Sequence, residues 1–180
     1  MSDFGKVLAC LKNLGMKNPS TEDFEDKLVI QKAVYLLQLK GVKTGFEFNL
    51  YVRGPYSPAL TTELYNHPRE LRSLETSTQL SGKEVEAVRE LGELTHLKPS
   101  LLEVAATYAF FAFERGKDPL TATKGVRAMK GFYPETQIAL GISHAKKFLF
   151  KPTKGDIVEM KREHEGIERA SLDDLTGPGQ

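Results

Sequence analysis

Apolar positions fall at helical spacing along most of this chain and alternate strictly only once. Phe4, Val7, Leu8, Leu11 and Leu14 recur at intervals of three and four, which predicts a first amphipathic helix ending near Gly15. After Asn18-Pro19-Ser20-Thr21, a turn with a capping hydroxyl, Phe24, Leu28, Tyr35 and Leu39 stack along a second helix, widened by Ile30, Val34 and Leu37 and stopped by Gly41. From Phe46 to Arg53 the period drops to two: Phe46, Phe48, Leu50 and Val52 share one side, and Glu47, Asn49, Tyr51 and Arg53 the other. That alternation predicts a strand. Gly54-Pro55-Tyr56-Ser57-Pro58 is expected to end it in a turn, and Ser57-Pro58 to open a short helix over 59–66.

Beyond His67-Pro68 the pattern weakens, and a short return strand over 74–80 is the expectation there. Ser81 with Glu84 forms a capping box for a polar helix whose inward stripe reads Val85, Val88, Leu91 and Leu94, and Ser100 with Glu103 repeats the device. The segment Leu101–Phe113 is apolar on nearly every side, so it is expected to be the central core helix. Asp118-Pro119 caps a helix with Leu120, Val126 and Met129 inward, and Phe132-Tyr133-Pro134 turns into a last one carrying Ile138, Ile142, Ala145 and Phe148. The fold class predicted is α+β, mainly α: a helical domain with one short strand or β-hairpin, a winged-helix-like corner being the alternative. Residues 1–154 read as a single globular domain, and 155–180 as a charged, partly disordered C-terminal tail.

Composition adds limits. The 180 residues are 40% hydrophobic and 27% charged, with 25 basic against 24 acidic side chains and no tryptophan, which is the make-up of a soluble globular chain. Cys10 has no partner for an internal disulfide, and Asp3 and Lys6 interrupt any signal-like apolar run, so a cytoplasmic location is expected. No stretch approaches the roughly eighteen apolar residues of a membrane helix, and no membrane association is expected.

Chemistry is sparse. His67, His96, His144 and His164 are widely separated and form no metal-ligand spacing, so no metal is expected. No phosphate loop or nucleophile elbow is present, and no cofactor is expected. Cys10, between Leu8 and Leu11, reads as a small buried hydrophobe. Charge is uneven, however. Residues 120–155 hold Lys124, Arg127, Lys130, Lys146, Lys147, Lys151 and Lys154 against Glu135 alone, whereas 156–180 carry three bases and seven acids. Lys124, Arg127 and Lys130 fall near one helical face and, with Lys146, Lys147 and Lys151, form a candidate basic patch for phosphates or an acidic partner; a solvated face is the competing reading.

The most specific segment lies between Lys27 and Tyr65. Lys27, Leu28, Gln31, Lys32, Tyr35 and Leu36 lie on the second helix, followed by Tyr51 on the strand and by Gly54, Pro55, Tyr56, Ser57 and Pro58 in the turn. This combination resembles the Panacea domain family, the SocA-like antitoxin group, and within it the poorly characterised bacterial and archaeal relatives. The resemblance spans about forty residues. It implies a non-enzymatic domain that neutralises a small protein partner, typically a toxin, by contact, or that works as an adaptor handing the partner to a protease. Tyr35, Tyr51 and Tyr56 are amphipathic aromatics of the kind that anchor interfaces, and with Arg53 they are the candidate partner-binding residues; core packing is the competing reading of Tyr35 and Tyr56. The alternative function is a nucleic-acid-binding regulator using a winged-helix-like corner or the basic segment 124–154.

Overall fold

In the computed structural model, which describes residues 2–150, Asp3 opens the first helix by accepting a hydrogen bond from the Lys6 amide at 2.8 Å. Helix α1 spans Phe4–Asn13 and buries Val7 through Leu11, Cys10 among them. The order that follows is α2 (Phe24–Leu39), β1 (Asn49–Tyr51), β2 (Gly54–Tyr56), α3 (Pro58–Asn66), α4 (Pro68–Ser73), α5 (Gly82–Thr95), α6 (Pro99–Ala109), α7 (Pro119–Lys130) and α8 (Glu135–Leu149). The class is α+β, mainly α, and residues as far as Leu149 form one compact unit. The predicted tail, 155–180, lies outside the described residues.

Two helices carry the interior. Every residue of α2 from Leu28 to Leu37 is buried, and every residue of α6 from Leu101 to Ala109. Helix α6 packs against α2, α7 and α8, so the expectation of a central core helix holds, although it ends at Ala109 and continues as one π-helical turn, Phe110–Glu114. Its contact with α8 is close: a Cβ on Gly141 would lie 2.6 Å from Val104 Cγ1. A second apolar cluster joins Val7, Leu8 and Leu11 to Ile30, Val34, Phe46, Leu60, Leu64 and Leu71, which seats α1, α3 and α4 on the other flank of α2.

Several expectations are corrected. Helix α2 is capped by Asp23, whose carboxylate accepts from the Glu25 and Asp26 amides, and not by the Ser20-Thr21 hydroxyls. Helix α6 starts at Pro99 after Lys98 with no side-chain cap; Ser100 and Glu103 form no capping box, and Glu103 is buried. Val85 and Leu120 are exposed, the inward stripes of α5 and α7 being built instead by Ala87, Val88 and Leu91 and by Ala122 and Val126. No strand forms over 74–80. Pro68–Ser73 is a helix that the sequence reading left unassigned.

The strand is the instructive case. Pairing is confined to a hairpin in register Asn49↔Tyr56, Leu50↔Pro55 and Tyr51↔Gly54, so Gly54-Pro55-Tyr56, expected as a turn, is the second strand. Val52, expected on one side with Phe46, Phe48 and Leu50, sits exposed at the tip. The rest of the extended segment is held by side chains of α2. Gln38 donates to Phe46 O at 2.9 Å and accepts from the Phe46 amide at 2.9 Å; Gln31 donates to Ser57 O at 3.0 Å and accepts from the Ser57 amide at 2.9 Å. Each primary amide thus stands in for one residue of a neighbouring strand, satisfying a buried donor and acceptor together. Neither tip residue, Val52 or Arg53, has positive φ, so the left-handed step falls to Gly54 at φ +86°. A Cβ there would also lie 2.5 Å from Thr107 Oγ1 on α6, which makes glycine a requirement of the close approach.

Candidate functional site

Lysines hold the hairpin from two sides. Lys32 on α2 donates to Pro55 O at 2.6 Å, and Lys130 at the end of α7 donates to Val52 O at 2.9 Å. Both side chains are buried. Lys130 is anchored in turn by Glu103 of α6, whose Oε1 lies 2.7 Å from the ammonium, while Glu103 Oε2 accepts from Arg53 at the hairpin tip and from the Tyr133 hydroxyl, each at 3.1 Å. One carboxylate therefore serves Lys130 and Arg53. Lys32 has no carboxylate within 4 Å among the described residues.

The electrostatic consequences follow from burial. Removal from water lowers the Lys32 ammonium to about 8, with Lys130 and Arg53 adding to the fall and Glu103 opposing it. Lys130 is lowered for the same first reason, against its hydrogen bond to Glu103. Burial, with the Glu103 charge beside it, pushes the Tyr133 hydroxyl up to about 12. Arg53 is raised by its hydrogen bond to Glu103, and its guanidinium lies 5.5 Å from the Phe24 ring and 5.6 Å from the Phe132 ring.

Between this cluster and solvent lies a pocket of about 460 Å³. Helix α2 supplies Phe24, Lys27, Leu28, Gln31 and Lys32, the hairpin supplies Tyr51, Val52, Arg53 and Tyr56, and α3 supplies Thr61 and Tyr65. Tyr51 and Tyr56 meet edge to face across the hairpin, centroids 5.3 Å apart, and Lys27 donates to the Tyr65 hydroxyl at 3.3 Å. Gln31 is fully engaged, its amide also donating to Thr61 Oγ1 at 2.9 Å. The walls are aromatic, the polar groups few, and the charged ones all positive.

Comparison of the chain with protein-family models, curated proteins and solved structures finds no match. The site therefore stands on its own geometry. Of the four candidate partner-binding residues, Tyr51, Arg53 and Tyr56 come together around the pocket. Tyr35 does not: it is buried in the core against Phe48 and Phe110, at centroid distances of 5.2 and 6.5 Å, and burial, with Glu114 nearby, drives its hydroxyl well above the ordinary tyrosine range. A partner at the surface has no access to it.

The basic patch divides in the same way. Lys124, Lys146 and Lys147 are exposed; Arg127 is exposed but donates to Glu135 at 2.9 Å. Lys130 leaves the patch altogether, because the residue that completes the helical face is drawn inward by Glu103 and the Val52 carbonyl. Lys151 lies outside the described residues. Cys10 is buried, as expected, and burial raises its thiol to about 12, which makes it inert. No group of three or more His, Cys, Asp or Glu side chains able to hold a metal occurs among the described residues, and no helix there is long and apolar enough to cross a membrane.

Glu103, Lys130 and Phe24 are parts of this site that periodicity and motifs along the chain do not single out, and Lys32 stands out there only within the family-like segment. A signal was present: Lys32 stands alone in the apolar run Leu28–Leu37, and Glu103 alone in Leu101–Phe113. A single charge inside an otherwise buried helix needs a partner on another element.

Proposed function

We propose that this chain is a non-enzymatic, cytoplasmic protein-binding domain of antitoxin or proteolytic-adaptor type, which neutralises a small partner protein by contact through its hairpin face. One observation carries the reading. Five large apolar side chains that are exposed, Phe24, Tyr51, Val52, Tyr65 and Phe132, converge on Arg53: four line its pocket and the fifth lies against its guanidinium. Exposed apolar side chains gathered in one place mark interaction sites, and tyrosine and arginine are the commonest energetic anchors of protein interfaces. The hairpin that presents Tyr51, Val52 and Arg53 is already fixed by Lys32, Lys130 and two glutamine amides, so little ordering entropy remains to be lost there on binding. The Panacea-like segment supports the antitoxin or adaptor role, since its helix and turn are the elements that build this face.

Less supports the nucleic-acid regulator. With Lys130 buried and Arg127 paired, Lys124, Lys146 and Lys147 are the described members of the basic patch that remain for a phosphate backbone. The test is purification of the tagged chain from its host at moderate salt with and without nuclease, repeated with Tyr51→Ala, Tyr65→Ala and Lys124→Glu/Lys147→Glu. A stoichiometric small protein that survives nuclease, is lost with the tyrosine variants and is kept by the charge-reversed one is the expected result. Nucleic acid recovered alone, and lost with the charge-reversed variant, overturns the proposal.

A further inference from the structure

The pocket holds more positive charge than the one carboxylate near it among the described residues, Glu103, balances. Lys27, Lys32 and Arg53 line it, with no aspartate or glutamate among the lining residues. Arg53 spends part of its charge on Glu103, which also serves the buried Lys130. Lys32 is the surplus. It is 2% exposed, and its single hydrogen bond among the described residues is to Pro55 O, although an ammonium carries three donors. A charge so far out of water is costly until an opposite charge and the missing acceptors are supplied, and the pocket that Lys32 lines is the open space beside it.

The rest of the wall narrows the anion. Phe24, Leu28, Tyr51, Tyr56 and Tyr65 offer rings and an aliphatic surface, and the one primary amide, Gln31, has both N–H donors engaged by Ser57 O and Thr61 Oγ1, so it has no donor left for an anion or a base edge. A monoanion beside an apolar group matches both halves; a multiply charged, strongly hydrated one matches only the lysines. We infer that the pocket recognises a carboxylate carried next to an aromatic or aliphatic side chain, presented by an acidic-apolar segment of the partner protein, with Lys32 and Lys27 receiving the carboxylate and the rings receiving its neighbour. This rests on the protein-binding reading above and adds the chemistry of what the partner inserts.

The test uses the full chain, isotope-labelled for NMR, and a matched pair of probes, N-acetyl-phenylalanine and N-acetyl-phenylalaninamide, which share ring and backbone and differ in charge. The acid is expected to shift resonances of Tyr51, Val52, Tyr56 and Thr61 and to bind at least about tenfold more tightly than the amide, the factor that one ordinary charge-assisted contact supplies. Lys32→Met should abolish that preference. Because this variant also removes the hold on Pro55, Lys27→Glu on the pocket rim is run beside it, and should weaken the acid several-fold while leaving the amide unchanged. Equal binding of the two probes, binding of neither, or shifts confined to residues away from the pocket overturns the inference. If partner capture still depends on Tyr51 and Tyr65 in that case, the charge assignment alone has failed; if capture ignores those tyrosines, the protein-binding face itself is wrong.

Discussion

Glu103 has the most demanding position of any single residue, a carboxylate in the middle of an apolar helix that satisfies Lys130, Arg53 and Tyr133 at once. Glu103→Gln keeps the shape but leaves Lys130 buried without a counter-charge, and unfolding free energy should fall by about 3–5 kcal/mol, as for other broken buried pairs. Urea titration of the variant checks this, and Lys130→Met in the same background should recover part of the loss. Lys32 gives a different signature. Its folded value of about 8 lies below that of an exposed lysine, so between the two the unfolded chain holds a proton that the folded chain has lost, and stability rises with pH across that window. Relative to Lys32→Met, the wild type should therefore gain up to ~2 kcal/mol between about pH 7.5 and about pH 9.5, measured by urea midpoints. Tyr133 does not interfere, since its own contribution is lost only above the ordinary tyrosine value.

Among the elements, the hairpin and the end of α5 carry backbone requirements that can be tested directly. Gly54→Ala forces a side chain into a left-handed position and against Thr107, and should lower the melting temperature sharply while loosening Tyr51 and Tyr56. At the C-cap of α5 the same geometry is met by the wrong residue: His96, at φ +46°, is exposed, so His96→Gly should stabilise by about 0.5–1 kcal/mol in thermal unfolding. Helices were legible where stripe and cap are local, as with Ser57-Pro58 opening α3 and the Ser81–Glu84 box opening α5, and not at the starts of α2 and α6 or over α4. The strand was half legible. Of the alternating stretch 46–53 only Asn49–Tyr51 pairs as a strand and Val52 and Arg53 form the turn, because a ladder ends where something else takes its hydrogen bonds, and here Gln38 and Gln31 do so from a helix. Nothing near Phe46 or Ser57 in the sequence announces that.

For the whole molecule, the near-neutral total of +1 conceals how charge is sorted: Lys32, Lys130 and Glu103 are buried, while exposed lysines are spread over the described surface, Lys12 on α1, Lys83 on α5, Lys124 on α7 and Lys146 and Lys147 on α8 among them. Tyr51, Arg53 and Tyr56 could be picked out as a site because they sit on one short segment; Phe24, Lys32, Glu103 and Lys130 join them only through tertiary packing, which spacing along the chain does not reveal. Because the pocket is walled mainly by rings, affinity for the partner should change less than tenfold between about 50 and about 300 mM salt, whereas a phosphate-backbone complex with several contacts would lose several orders of magnitude; calorimetric titration separates the two. The two glutamine bridges add a constraint of length. Gln31 and Gln38 are seven residues apart on one helix, about 10.5 Å along its axis, and they grip Phe46 and Ser57. What lies between is a loop of fixed circumference clamped to a rigid ruler. Exchanges at Tyr51 and Val52, whose side chains make none of these bonds, leave the clamp untouched, so the fold carries a cassette whose tip can be rewritten for a new partner without rebuilding the domain beneath it.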